Sequence, residues 1–173
     1  MAASKYLARV NGRTQQQSAK QTSTGVADAG KMAALSDDGR LDMSLMPAGI
    51  GADTQIIPAS EALSAGNFVN IWADTGAAKV RLADNSNGRP ADGYVLDAVS
   101  SAADATVYPL DGTNSELATL SPGASYWLGT AGGVIETPLV ETDIANAGKV
   151  SQLLGKAKSA TELMTSDDSY VIL

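Results

Sequence analysis

From residue 67 onward the chain is cut at short, even intervals by turn-forming groups. These are Asp74-Thr75-Gly76, Asn85-Ser86-Asn87-Gly88, Asp111-Gly112, Pro122-Gly123 and Gly132-Gly133. Glycine accepts positive φ, and Asn, Asp and Ser side chains bond to their own backbone, so each group can reverse the chain. The apolar runs between them are too short for helices. They predict strands over 67–72, 78–82, 93–99, 106–110, 115–120, 125–128, 133–136, 149–158 and 169–173. Short strands punctuated this regularly make a mainly β fold, a small β-barrel or β-sandwich. Helix has little room: one turn is expected at 59–63 and another at 141–147.

Composition narrows the function. Hydrophobic residues make up 44% of the 173 residues, but much of that share is Ala and only 5% of the chain is aromatic. Burial contributes roughly 25 cal/mol per Å² of apolar surface, so an Ala-rich chain has a modest core for its length. Such chains complete their cores against another subunit, and oligomerisation is expected. There is no Cys and no His, which removes thiol nucleophiles, disulfides, Cys/His zinc sites and His-based acid–base chemistry. A net charge of −7 argues against nucleic acid as a partner. No apolar run approaches the roughly 18 residues of a membrane helix, and the first residues lack the apolar stretch of a signal peptide. No membrane partner is expected. The chain is expected to stay in the cytoplasm of the cell that makes it, unless it leaves as part of a particle.

Character changes near Pro58. Residues 1–57 are polar and weakly periodic, and 15–24, rich in Gln, Ser and Thr, read as an extended or disordered tether. Lys5, Arg9, Arg13 and Lys20 precede the first acid, Asp28. A basic arm on an acidic body commonly marks a docking segment. Within the arm, Asp37-Asp38-Gly39 between two apolar runs predicts a β-hairpin, with Leu41, Met43 and Leu45 on one face and Asp42 and Ser44 on the other. A lone hairpin is marginal in water, so it is expected to pack on something else.

Motifs that could carry chemistry fail on inspection. Gly25 to Lys31 has the G-x-x-x-x-G-K spacing of a phosphate loop, but Met32 stands where magnesium needs a hydroxyl, and no apolar strand precedes it. Asp84 to Gly88 resembles a calcium loop, yet Arg89 occupies the sixth position, where Gly is required. The acid pairs Asp37-Asp38 and Asp167-Asp168 are adjacent in sequence, and adjacent residues of a strand point to opposite faces. Trp72 and Trp127 could be sugar platforms. Their apolar strands favour core or subunit interface instead. No catalytic residue, cofactor or metal site is expected.

Two ordered sets of segments resemble known proteins. Ala27-Asp28-Ala29-Gly30-Lys31, Gly39-Arg40-Leu41-Asp42 and Ser44-Leu45-Met46-Pro47 look like a connector of phage virion proteins. Asn67-Phe68-Val69-Asn70-Ile71-Trp72, Val80-Arg81-Leu82-Ala83-Asp84, Gly93-Tyr94-Val95, 120–130 and Ser159-Ala160-Thr161-Glu162-Leu163 are similar to the β-domain of tailed-bacteriophage head-fibre, capsid-decoration and cement proteins. The resemblance implies a trimeric β-protein on the outside of a phage head. Its partners would be the major capsid protein and its own copies. On that reading 1–57 is the docking arm and 58–173 the decoration domain. Tyr6, Arg9, Arg13, Leu41, Met43 and Leu45 are the expected capsid contacts, and Trp72, Trp127 and Tyr126 the expected trimer or core residues. A tail-fibre or receptor-binding adhesin is the alternative. Adhesins tend to expose aromatics at their tips, whereas this chain is aromatic-poor. An enzyme comes last.

Overall fold

A computed structural model describes residues 5–37, 39–46 and 53–173, which fall into two units, Met1–Gly51 and Ala52–Leu173. In the first unit β1 (Lys5–Val10) and β2 (Arg13–Ser18) form an antiparallel hairpin. Asn11 and Gly12 join them, both at positive φ (49° and 77°), as a two-residue turn matched to strand twist requires. This corrects the tether reading of 15–24: Gln15, Gln16 and Gln17 sit opposite Ala8, Leu7 and Tyr6. Turn chemistry outweighed the missing apolar face.

The hairpin expected around Asp37-Asp38-Gly39 does not form among the described residues, and Asp38 itself lies outside them. Ala33 instead bridges Lys20 in parallel, and Met43–Leu45 is a 3-10 turn. The cause is local. The Asp42 carboxylate accepts from the backbone N–H and hydroxyl of Ser44 (2.9 and 2.6 Å), which turns the chain where a strand would have to extend. The strand-like alternation of Leu41, Met43 and Leu45 is therefore lost, and the Met43 side chain lies outside what is described.

The second unit contains β3 (Gln55–Pro58), β4 (Phe68–Asp74), β5 (Ala77–Leu82), β6 (Gly93–Tyr94) and β7 (Asp104–Val107). It continues with β8 (Thr113–Asn114), β9 (Ser125–Leu128), β10 (Val134–Ile135), β11 (Val150–Ser151), β12 (Leu153–Ala157), β13 (Leu163–Thr165) and β14 (Val171–Ile172). A three-stranded sheet runs β5-β4-β6 and a five-stranded one β10-β9-β12-β13-β8; β3 pairs β7 and β11 pairs β14. The unit is mainly β, but its sheets stay open and no closed barrel forms among the described residues. The 115–120 segment holds no strand, whereas Gln55–Pro58 and Leu163–Thr165 do. The turn expected at 59–63 is replaced by bridges from Ala59 to Val80 and Leu63 to Val99. That at 141–147 shrinks to a 3-10 turn, Ile144–Asn146, capped by Asp143.

Two buried clusters hold this unit together. The larger gathers Phe68, Tyr94, Leu110, Leu120, Tyr126, Leu128, Val150, Leu154 and Leu163; the smaller gathers Leu63, Val69, Val80, Val95, Ala105 and Val107. Tyr94 lies against Phe68 and stacks on Tyr108 at 5.6 Å. Burial pushes the Tyr94 phenol above its ordinary range. Among the described residues the buried polar side chains are Asn70, Asn85, Asn114, Asn146 and Gln152. Several pin loops to strands. Asn85 Nδ2 donates to the Leu128 carbonyl, Asn114 Nδ2 to Gly66, and Gln152 clasps both backbone groups of Ala91.

Candidate functional site

The first unit is organised by polar contacts rather than by a core. The Asp28 carboxylate accepts from the Thr24 N–H and hydroxyl (both 2.8 Å) and pairs with Lys20 and Lys31 (both 3.0 Å). The Thr24 N–H, with the two ammonium groups, holds the Asp28 carboxyl well below the usual carboxylate range. Segment 25–31 is thus a tied-off turn, with its lysine committed to Asp28. The Tyr6 hydroxyl accepts from the Met32 N–H, and Gln21 Nε2 donates to the Leu35 carbonyl. Of the expected contact residues, Arg9, Arg13 and Leu41 are exposed, and Tyr6 and Leu45 half-buried.

Only Ala19 of this unit's described residues is a buried apolar residue, while Leu7, Val26, Met32, Leu35, Leu41 and Met46 all stand exposed. Charge divides the same way. Residues 1–51 hold six bases and four acids, net +2. Of the chain's 12 bases and 19 acids, six and fifteen remain for 52–173, net −9.

The two tryptophans are employed differently. Trp72 is half-buried: its indole N–H donates to Ser60 Oγ at 3.3 Å, and the Arg81 guanidinium lies 4.8 Å from its ring centre. Arg81 Nε donates to Asn70 Oδ1, and Asn70 in turn donates to Asp92. Burial lowers the Arg81 pKa and raises that of Asp92. One face of this indole is occupied and its donor satisfied, which leaves little of it for a sugar. Tyr126 is buried in the larger cluster.

Trp127 points the other way. Strand alternation sends Tyr126 and Leu128 inward and Trp127 to the opposite face. On that face Trp127 is flanked in register by Ile135 and Leu153. The next row runs Ser125, Lys156, Met164 and Thr113. Neither Trp127 nor its two neighbours packs against either buried cluster.

The remaining candidates resolve into structure. Burial alone would raise the Asp84 carboxyl, but hydrogen bonds from Ser86 and Ala131 and the nearby Arg89 charge together hold it low. It locks the 84–89 turn to the Gly129–Gly133 turn and leaves no calcium loop. Asp168 accepts from Ser166 Oγ. A depression of about 390 Å³ is lined by Asp97, Ser100, Asp104 and Thr106 with small apolar residues, and no Lys or Arg lines it. Among the described residues no three acids gather at metal-binding distance, and no helix is long and apolar enough to cross a membrane.

No family model matches the sequence, and no curated protein matches it. Among solved structures, the chain is similar to the N base of the head fibre gp8.5 of bacteriophage phi29. That match covers 67% of this chain and 95% of that one, at 13% identity and a TM-score of 0.44. What this chain does has to come from its own residues.

Proposed function

We propose that this chain is a structural component of a tailed-phage particle, seated on the outer surface of the capsid as a homotrimer through its N-terminal unit. The observation that carries this is the imbalance between the units. Residues 52–173 have two buried clusters of their own. The described residues of the first 51 include one buried apolar side chain and six large exposed ones, and the segment has a positive balance. A hairpin without a core is marginal in water, and a unit of this size is marginal even when it buries about 60% of its unfolded surface. It is therefore suited to completing its burial on another surface. An acidic surface with apolar grooves would meet both its bases and its exposed Leu, Val and Met side chains. Binding only to assembled shells would favour the assembled state by mass action. The virion-like order of segments in the sequence points the same way.

The test is binding of purified heads by the full chain and by a version lacking residues 1–25, which removes the hairpin. The truncated protein should stay folded while head occupancy falls well below that of wild type. Three arms acting together make the loss larger than one arm's affinity suggests. Raising salt should weaken wild-type binding only in part, since the apolar contribution is unscreened. Wild-type occupancy by the truncated protein would end the arm reading. Labelling found on tails instead of heads would favour the adhesin.

A further inference from the structure

We infer that the outward face of the five-stranded sheet, centred on Trp127, is the surface through which copies of this chain associate. The inference rests on the oligomeric virion reading above and gives it a location. Ile135, Trp127 and Leu153 form one cross-strand row, outside both buried clusters. Met164, in the adjoining row, is 46% exposed. Val171, in the adjoining two-stranded sheet β11-β14, lies opposite Ser151, two residues before Leu153, and is 60% exposed. Trp127, Ile135 and Leu153 are half-buried, and Met164 and Val171 beside them are exposed, so the chain covers this apolar surface only in part.

Two further observations point to a second copy as the occupant. The first is the Trp127 indole N–H, which has no hydrogen bond among the described residues, whereas that of Trp72 is satisfied. Tryptophans that present an apolar body and a free donor are typical anchors of protein interfaces. The second is charge. The body has a net charge of −9, yet within the strand pairings of this face Lys156 is the one charged residue and no acid is paired. At the next position of the same face Lys158 pairs with Glu162 at 3.3 Å, and Glu136, the residue after Ile135, is engaged by the Tyr126 and Ser121 hydroxyls. Two such bodies repel wherever their acids meet, since like charges opposed across an interface are strongly unfavourable. With Lys156, Lys158 and Glu162 (two bases, one acid, net +1) on an otherwise apolar face of a body of net −9, this is where copies approach with little of that repulsion, packing their Trp127 rows around a shared symmetry axis.

Sedimentation velocity over a concentration series, with the full chain, tests the assignment. Wild type should sediment as an oligomer. Trp127→Glu should raise the dissociation constant at least tenfold, a loss typical of a central interface tryptophan, with far-UV circular dichroism unchanged. Met164→Glu, at an exposed position of the same face, and Val171→Glu, at an exposed position beside it, should act in the same direction; they decide the matter if the Trp127 variant fails to fold. Trp72→Phe should leave the oligomer intact. An oligomer unaffected by all three face variants would overturn the assignment and leave the oligomeric reading standing. A wild-type monomer at every concentration would overturn both. If the face variants lose head binding while remaining oligomeric, the face belongs to the capsid and the inference is wrong.

Discussion

Replacing Gln152 by leucine isolates what one buried amide contributes. Gln152 is 3% exposed; its Oε1 accepts from the Ala91 N–H at 2.7 Å, and its Nε2 donates to the Ala91 carbonyl at 2.9 Å. Ala91 is as deeply buried, so water does not replace the lost partners. Leucine nearly fills the same space, which keeps the cavity contribution small. What remains is two orphaned backbone groups at about 1–3 kcal/mol each, a loss of about 2–6 kcal/mol from a total of about 5–15. With a urea slope near 2 kcal/mol per molar, a 4 kcal/mol loss lowers the unfolding midpoint by about 2 M. Gln152→Glu adds a sign. Ionised, the new carboxyl accepts from Ala91 N–H but cannot donate to its carbonyl; protonated, it does both. Its folded pKa therefore lies above the unfolded value of about 4.3. Its stability relative to wild type should be lowest near pH 7 and recover as pH falls towards 4.3. A leucine variant within a few tenths of a kcal/mol of wild type would refute the reasoning.

Three further outcomes are expected. Gly155→Ala should cost roughly 2–6 kcal/mol, measured by thermal unfolding, because φ is +145° and a Cβ there would overlap the Met164 carbonyl oxygen. Gly12→Ala should cost about 1–2 kcal/mol locally, since φ is +77° in otherwise open space; trypsin should then cut faster at Arg9 and Arg13 while the second unit's unfolding stays unchanged. Asp28→Asn should speed amide exchange across 24–31 at pH 7. In wild type, because the carboxyl's pKa is depressed in the fold, that protection should persist as pH falls past about 3.9 and disappear only at stronger acid.

The sequence was most legible where turn chemistry and alternation agree. Ser125–Leu128 falls where the apolar run ends at Gly129, and β4 and β5 flank Thr75 and Gly76, both at positive φ. It was least legible where two turn signals competed. Asp37-Asp38-Gly39 and Asn11-Gly12 carry similar local signatures, and only the second lies between segments free to extend. Leu163–Thr165 hides because one buried leucine in a polar stretch has no period to detect. Barrel closure is decided by edges such as β10 and β8, on which local residues say nothing. Buried amides such as Gln152 are indistinguishable in sequence from solvated ones. The same holds for the tryptophans. Both sit in apolar strands, and only side-chain contacts show that the Trp72 indole N–H is bonded within the chain, whereas that of Trp127 has no such bond among the described residues.

The buried polar side chains of the second unit are all neutral amides. A carboxylate or imidazole would have served as a hydrogen-bond partner, but it would also have read the surrounding proton concentration. An amide does not. Cohesion at these five positions is accordingly the same in mild acid as in mild alkali. The exposure is transferred from acidity to age. Hydrolysis of one such amide would leave a carboxylate in the interior, the charge the fold keeps out, and the rate of that slow chemistry would set the shelf life of the fold.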